Sequence, residues 1–195
     1  MFKQGWYKKA KHIASKNFNK RPNNMDISLV VVHCISLPEG EYLNHNVENL
    51  FLNQLDCDSH KSFADLKEVE VSAHFYIKRT GEVVQFVSVD DRAWHAGVSN
   101  FQGRQGCNDF SIGIELQGTD RTTYESEQYR SLNELLVDLK ESYVELKAIT
   151  GHQYIAPGRK TDPGKCFDWD KVNDLHGIDN LTPYEKLERY FKQDV

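Results

Sequence analysis

The sequence predicts an α/β fold of the mixed α+β kind, in which helices flank a central mixed β-sheet. Three observations lead to this prediction. Residues 29–32 form a continuous apolar run, which is typical of a strand buried on both faces. Residues 71–78 alternate between apolar and polar side chains, and R-T-G-E links them to the apolar segment 83–87, which indicates a hairpin turning at Gly81. From Tyr129 onward, apolar residues recur at intervals of three and four, as on an amphipathic helix.

Two residues of chemical interest lie on the predicted strands. His33 lies near the end of the first strand. Residues 111–116 predict a further strand, whose alternation separates an apolar face from a face of small residues. Glu115 lies on the small-residue face, opposite three apolar side chains, Ile112, Ile114 and Leu116.

Three helices complete the prediction. A short helix after the first strand carries Val47, Leu50 and Phe51, and the long helix is expected to cover the sheet with Leu132, Leu135, Leu136, Leu139, Tyr143 and Leu146. T-P-Y-E at residues 182–185 is typical of a capping box, so residues 182–193 are expected to form a C-terminal helix. A length of 195 residues favours one domain, 1–195, with its core at about 26–176.

Composition and charge exclude several classes of function. Hydrophobic residues at 39% and charged residues at 27% are typical of a globular chain rather than a disordered one. A net charge of −5 at pH 7, without a basic face or known reading motif, argues against a nucleic-acid partner. The N-terminal segment is basic but lacks the apolar run of a signal peptide, roughly 7–15 residues, or of a membrane span, about 20. We therefore expect a cytoplasmic protein with no membrane partner, whose four widely spaced cysteines are free thiols.

Eight histidines are candidates for metal binding or catalysis. Four lie in polar, loop-like segments and carry little functional weight: His12, His45, His60 and His176. His74 lies within a predicted strand and fits a hydrogen-bonded structural histidine. His95, in W-H-A-G, fits a structural role and a pocket-lining role equally well.

His33 and His152 are stronger candidates, because each lies at a boundary between a predicted element and a loop, where a rigid scaffold directs side chains toward a site. Asp162, in K-T-D-P-G, follows His152 by ten positions, and Pro163 and Gly164 are expected to set the turn that directs its carboxylate. Two imidazoles and one carboxylate make a three-ligand zinc set with one coordination position open for water. Spacing alone does not decide which histidines meet, since the chain has no short metal motif such as H-E-x-x-H.

Glu115 and Lys160 have the chemistry that an amide hydrolase needs. Glu115, if partly buried, suits a general base that takes a proton from water and returns it to the leaving amine; the alternative is a strand-edge carboxylate. Lys160 lies two residues before Asp162, so in an extended segment both side chains point to the same side. Its ammonium would stabilise negative charge on the carbonyl oxygen; the alternative is a solvated loop lysine.

Six blocks of sequence carry a resemblance across nearly the whole chain: V-V-H-C-I-S-L-P, V-S-A-H-F, R-A-W-H-A-G-V-S, G-C-N-D-F-S-I-G-I-E-L-Q-G-T-D, T-G-H and K-T-D-P-G. Their order and approximate spacing resemble the zinc N-acetylmuramoyl-L-alanine amidase family. This family includes the amidases of cell-wall recycling, phage amidase lysozymes and peptidoglycan recognition proteins. Ala73 and Asp162 favour the recycling branch, since phage members carry Tyr and Cys at these positions.

The resemblance implies that His33, His152 and Asp162 bind Zn²⁺, with Glu115 as the catalytic carboxylate and Lys160 as the catalytic ammonium. It also implies a small-molecule muropeptide substrate, in which N-acetylmuramic or 1,6-anhydro-muramic acid is joined to L-alanine through its lactyl carbonyl. Two alternatives stay open. One is a phage-type lytic amidase that acts on intact peptidoglycan, and the other is a non-catalytic peptidoglycan-binding module.

Three positions depart from the pattern of the recycling branch. Cys34 stands where that branch carries Asn directly after the first ligand. Gly106 and Glu70 stand where it carries basic residues. Because the substrate bears carboxylates, the loss of two positive charges predicts altered affinity and selectivity for the peptide end and leaves the chemistry in place.

Overall fold

The computed structural model describes residues 1–22, 26–173 and 182–183. Its strands are β1 (Phe2–Lys3), β2 (Trp6–Tyr7), β3 (Lys11–His12), β4 (Phe18–Lys20), β5 (Leu29–Ile35), β6 (Phe75–Ile77), β7 (Val83–Gln85), β8 (Asp91–Ala93), β9 (Asn100–Phe101), β10 (Arg104–Gln105), β11 (Ser111–Gln117), β12 (Ala148–Gly151) and β13 (Thr182–Pro183). Its α-helices are α1 (Asn46–Phe51), α2 (Ser126–Ser142), α3 (His152–Ile155) and α4 (Asp170–Asn173).

The central sheet has seven strands in the order β13-β12-β5-β11-β6-β7-β3. The five strands from β13 to β6 run parallel to one another, and β7 turns back antiparallel to β6. The mixed sheet with helices that the sequence predicted is therefore confirmed, and the hairpin turns where Gly81 has a φ of +84°.

The register of the parallel strands decides where the polar side chains meet. Glu115 on β11 pairs with His33 on β5, and Gly151 at the end of β12 pairs with Val32 on β5. His152, which follows Gly151, therefore lies level with His33. Three neighbouring strands bring polar residues to one carboxyl-terminal edge, where open α/β sheets commonly bind ligands.

The two faces of the sheet are covered differently. One face packs against α2 through a core that includes Val30, Val32, Ile112, Ile114, Leu116, Leu132, Leu135, Leu136 and Leu139. The opposite face carries α1 and a second core that includes Val47, Leu50, Phe51, Tyr76 and Val84. Glu115 lies opposite Ile114 and Leu116 along β11, so it shares the second face, as the alternation predicted.

Three predicted boundaries differ from the structure. The long helix begins at Ser126, where Glu125 and Gln128 form a capping box, and it ends before Tyr143. The strand predicted over 71–78 is confined to Phe75–Ile77, because the preceding Ser72 N–H donates to the carbonyl of Trp94, 3.1 Å away, outside the sheet.

No helix within the described ranges has both the length and the apolar character that crossing a bilayer requires.

The helix predicted over residues 182–193 does not begin where the capping-box pattern placed it. Thr182–Pro183 instead form β13, which pairs in parallel with Ala148–Ile149. Backbone hydrogen bonding to the otherwise open edge of β12 thus prevails over the local capping signal, and proline is tolerated in an edge strand. The rest of this tail, and residues 174–176 of the predicted core, lie outside the described residues.

Candidate active site

His33, His152 and Asp162 meet at the carboxyl-terminal edge of the sheet. His33 Nδ1 lies 2.9 Å from His152 Nδ1 and 3.1 Å from Asp162 Oδ2, and His152 Nδ1 lies 3.0 Å from the same oxygen. Among the described residues, this trio is the group of histidine, cysteine and acidic side chains whose ligand atoms converge closely enough to hold a metal ion. The structure thus brings together the three residues that the sequence singled out as a ligand set.

Local structure directs each of these side chains. His33 follows Leu29 and Val31 on one face of β5, and His152 is the first residue of α3, directly after β12. The segment of Asp162 is tied to α3, since Gln153 N–H donates to the Asp162 carbonyl at 2.8 Å. Gly164 shapes the turn that follows: its φ is +85°, and a Cβ there would lie 2.1 Å from the carbonyl oxygen of Asp120.

The contacts of the trio indicate where its protons and charges lie. His152 Nε2 lies 3.1 Å from the carbonyl oxygen of Ala96, which only accepts, so the ring proton belongs on Nε2 and Nδ1 carries a lone pair. Burial, and then the proximity of His152, lowers the pKa of His33 to about 4, so its ring is neutral at pH 7. Burial alone would raise the pKa of Asp162, but its contacts with His152 and His33 hold that pKa below the usual range. Its carboxyl is therefore ionised.

This donor set fits a zinc ion. Zinc binds imidazole nitrogens and carboxylate oxygens, and a tetrahedral ion with ligands at 2.0–2.1 Å separates them by roughly 3.3 Å. The observed separations of 2.9 to 3.1 Å are close to that value. The ionised Asp162 carboxylate, beside the neutral ring of His33, also places negative charge in a largely buried position, which a divalent cation would neutralise.

Glu115 lies next to this trio on the neighbouring strand. Its side chain is buried, with 9% of the residue exposed, and its Oε2 has no hydrogen-bond partner among the described residues. Burial, and then the negative charge of Asp162, raises the pKa of the Glu115 carboxyl well above its ordinary range, and Lys160 opposes this rise. Since β11 lies between β5 and β6, the alternative of a strand-edge carboxylate is wrong. A buried, unpartnered carboxyl with a raised pKa is typical of a group that exchanges protons during a reaction.

Two adjoining cavities surround these residues. The smaller, of about 260 Å³, contains the trio and Glu115, and has an apolar wall of Leu50, Phe51, Leu66, Val69, Val71 and Ala73. The larger, of about 420 Å³, has charged walls that include Glu39, Asp120, Arg121 and Arg159. The cavities share Cys34, Ile35, Lys160 and Asp162, so Lys160 lies where they join. It is exposed to solvent, and its charge acts on both Glu115 and His33.

The other described histidines lie in different surroundings. His74 is fully buried; its Nδ1 accepts from Gly113 N–H at 3.0 Å and its Nε2 lies 3.1 Å from the carbonyl of Asp91, as expected of a structural histidine. His12, His45 and His60 bond to near neighbours in sequence, through Tyr7, Glu48 and Ser62. His176 lies outside the described residues.

His95, which the sequence left undecided, belongs to the site. Its Nδ1 lies 2.9 Å from His33 Nε2, and the ring lines the smaller cavity. Burial, and then His33 and His74, lowers its pKa well below the ordinary value, so the ring is neutral. In the sequence, only its place in the W-H-A-G block pointed to a role for His95. The spacing along the chain does not show how near His95 lies to His33.

The three departures from the recycling pattern have different positions. Cys34 lines both cavities, and burial raises the pKa of its thiol. Glu70 is exposed directly before Val71 of the apolar wall. Gly106 has a φ of +71° and precedes the 3-10 helix Cys107–Asp109. At that φ a glycine is the least strained residue, which is a local reason for its presence.

Comparison with known proteins agrees with this site. The family model for N-acetylmuramoyl-L-alanine amidase matches residues 23–165. A 1,6-anhydro-N-acetylmuramyl-L-alanine amidase, AmpD of Salmonella typhimurium strain SL1344, is 49% identical over 173 residues, which cover 88% of this chain and 92% of the relative. The AmpD of Escherichia coli K12 is 48% identical over 176 residues, covering 90% and 96%.

Solved structures extend the likeness to the fold. A crystal structure of a selenomethionine derivative of AmpD has a TM-score of 0.88 and 46% identity, and the match covers 90% of this chain and 98% of that one. AmiD of Escherichia coli, solved with the substrate anhydro-N-acetylmuramic acid-L-Ala-D-γ-Glu-L-Lys, has a TM-score of 0.56 and 26% identity, covering 83% and 66%. Because the matched family model spans the candidate ligands and Glu115, and because the closely similar AmpD relatives are matched over nearly their whole length, the chain belongs to the N-acetylmuramoyl-L-alanine amidase family.

Proposed function

We propose that this protein is a zinc-dependent amidase that hydrolyses the bond between 1,6-anhydro-N-acetylmuramic acid and L-alanine in peptidoglycan fragments during cell-wall recycling. The observation that carries the proposal is the convergence of His33, His152 and Asp162 beside the buried, unpartnered carboxyl of Glu115. Identity of 48–49% to AmpD relatives over about nine tenths of the chain supports the substrate class. A cytoplasmic location and the absence of nucleic-acid and membrane partners stay predictions from the sequence.

The metal belongs to this proposal. His33 Nδ1, His152 Nδ1 and Asp162 Oδ2 would hold Zn²⁺, and three protein ligands leave a coordination position open. When bound, the ion polarises the scissile carbonyl and lowers the pKa of water, which is the chemistry that amide hydrolysis needs near neutral pH. A module that only binds peptidoglycan has no evident need for such a donor set. The convergence therefore argues against the non-catalytic alternative.

Glu115 has the proton-transfer role in this reaction. Its raised pKa makes the ionised carboxylate a ready acceptor for a proton of the attacking water. The same carboxyl then returns that proton to the nitrogen of L-alanine as the amide bond breaks. The products are a lactyl carboxylic acid and a peptide amine, which at neutral pH become a carboxylate and an ammonium. The absence of a competing hydrogen bond at Oε2 among the described residues leaves the carboxyl available for both steps.

Lys160 stabilises charge on the substrate carbonyl, and the apolar wall of the smaller cavity packs against the substrate. An ammonium near the lactyl carbonyl oxygen stabilises the negative charge that builds there, and such a contact strengthens when water is excluded. Lys160 is exposed in the free protein, so the substrate itself must cover it. Leu50, Phe51 and Leu66 give the smaller cavity a water-repelling side against which the substrate can pack.

Mass spectrometry of a purified anhydro-muramoyl-tripeptide after incubation with the protein tests this proposal. We expect release of the tripeptide that a zinc chelator abolishes and added zinc restores. Intact sacculi are treated in parallel. Release from sacculi but not from the fragment would favour the lytic alternative. Binding of the fragment without release from either substrate, in protein shown to contain zinc, would favour the binding module and contradict the amidase.

A further inference from the structure

The W-H-A-G segment, residues 94–97, contacts both histidines of the candidate zinc site, His33 and His152. His95 Nδ1 lies 2.9 Å from His33 Nε2, and the carbonyl of Ala96 lies 3.1 Å from His152 Nε2. Each contact is to the ring nitrogen that faces away from the trio. For His152 the backbone carbonyl decides the position of the ring proton. For His33 the partner is another imidazole, which can donate or accept, so the proton position depends on what lies beyond His95.

A chain of hydrogen bonds beyond His95 settles the direction of donation. Ser111 Oγ lies 2.6 Å from the carbonyl oxygen of Cys107, which can only accept, so the hydroxyl proton is directed there. The Ser111 oxygen is then an acceptor for His95 Nε2, 3.3 Å away. With its proton on Nε2, the neutral ring of His95 accepts at Nδ1, and His33 Nε2 is the donor. The lone pair of His33 is thereby left on Nδ1, which points toward His152 and Asp162.

We propose that His95 is a positioning residue: through Ser111 and the Cys107 carbonyl, it holds His33 in the tautomer that presents Nδ1 to the metal. This inference rests on the proposed zinc site. In the opposite tautomer His33 would direct an N–H into the position of the ion, and that proton would have to leave before the metal binds.

The fold holds His95 in place from two sides. Asn108 Oδ1 accepts from the backbone N–H of His95 at 3.2 Å and from that of Ala96 at 2.8 Å. Gly113, in the middle of β11, makes room for the ring, since a Cβ there would lie 2.4 Å from His95 Cγ. A glycine within a central strand commonly marks a close approach of this kind.

Paired variants separate hydrogen bonding from packing. His95→Asn keeps an oxygen acceptor near the position of Nδ1. His95→Leu has the same branching and the same number of non-hydrogen side-chain atoms as His95→Asn, but no acceptor. Loss of a hydrogen-bond partner of a ligating histidine typically lowers metal affinity roughly 10–100-fold. We therefore expect His95→Leu to bind zinc roughly 10–100-fold more weakly than the native chain, measured by competition with a chromophoric chelator, and His95→Asn to recover most of that loss. Ser111→Ala, which removes one buried oxygen, should fall between the native chain and His95→Leu.

Nitrogen-15 NMR of the metal-free native protein tests the tautomer directly, with the His33 signals assigned by their loss in His33→Ala. We expect the proton of His33 on Nε2. A proton on Nδ1, or equal zinc affinities for His95→Leu and His95→Asn, would overturn the proposal. If His95→Leu does not fold, the position of the His33 proton by NMR and the zinc affinity of Ser111→Ala test the proposal instead. A native chain that binds no zinc would refute the proposed function, whereas the tautomer in the metal-free chain reports on His95 independently.

Discussion

Replacing Glu115 by glutamine should remove most of the activity while leaving the metal in place. Glutamine has almost the same shape and stays neutral, so it fills the same buried position on β11 but cannot accept a proton. The three candidate ligands are His33, His152 and Asp162, and none of them is altered. Zinc content should therefore equal that of the native chain.

The size of the effect follows from the role of the carboxyl. General acid–base help contributes roughly 10²–10⁴ in rate, which corresponds to about 2.7–5.4 kcal/mol in the activation barrier. We expect kcat to fall by that factor, with a much smaller change in KM, because Glu115 acts on the water and the leaving amine. The assay is steady-state release of tripeptide, with metal content measured by emission spectrometry. Near-native turnover in Glu115→Gln would remove Glu115 from the mechanism.

The same substitution should stabilise the metal-free fold. The folded chain raises the pKa of Glu115, so the ionised carboxylate destabilises the native state. This penalty is absent below the unfolded pKa of about 4.3 and grows as the pH rises toward the folded pKa. We expect metal-free Glu115→Gln to unfold at a higher temperature than the native chain at pH 8, with the difference narrowing at pH 4. A lower Tm at pH 8 would contradict the reasoning.

Four further substitutions, at three positions, test other residues. Lys160→Met should lower kcat roughly 10²–10³-fold with zinc retained, and Lys160→Arg should recover part of it; equal kcat in all three chains would exclude the ammonium. His33→Ala should lose zinc and activity together, and full zinc content would show that the ligand set is wrong. Asp138, buried and bonded to Tyr7 at 2.5 Å and Lys9 at 2.9 Å, has a lowered pKa despite its burial. Asp138→Asn should therefore cost about 1–3 kcal/mol in urea unfolding at pH 7. That difference should shrink as the pH falls through the folded pKa of Asp138, and a difference independent of pH would contradict the assignment.

Local pattern predicted the elements that carry the site. The apolar run at 29–32 and the alternation over 111–116 predicted β5 and β11, and both strands placed His33 and Glu115 as expected. These predictions succeeded because a strand with one apolar face needs apolar residues at every second position, and a strand buried on both faces needs a continuous apolar run. The predicted start of the C-terminal helix was wrong for the complementary reason, since the pairing of Thr182–Pro183 with a distant strand is not a local property.

Spacing along the sequence does not predict which distant residues lie close together in the fold. His33 and His152 are 119 positions apart, and they touch only because β12 pairs with β5 in a particular parallel register. The family resemblance compensated for this at the five residues it covered. It did not reveal His95, whose significance depends on a hydrogen-bond chain through Ser111 that no local pattern records.

X-ray diffraction from a crystal of the zinc-loaded protein, recorded above and below the zinc absorption edge, is the most direct test of the proposed zinc site. We expect one strong anomalous peak at roughly 2.0–2.2 Å from His33 Nδ1, His152 Nδ1 and Asp162 Oδ2. A peak bound to other residues, or coordination of His33 through Nε2, would contradict it.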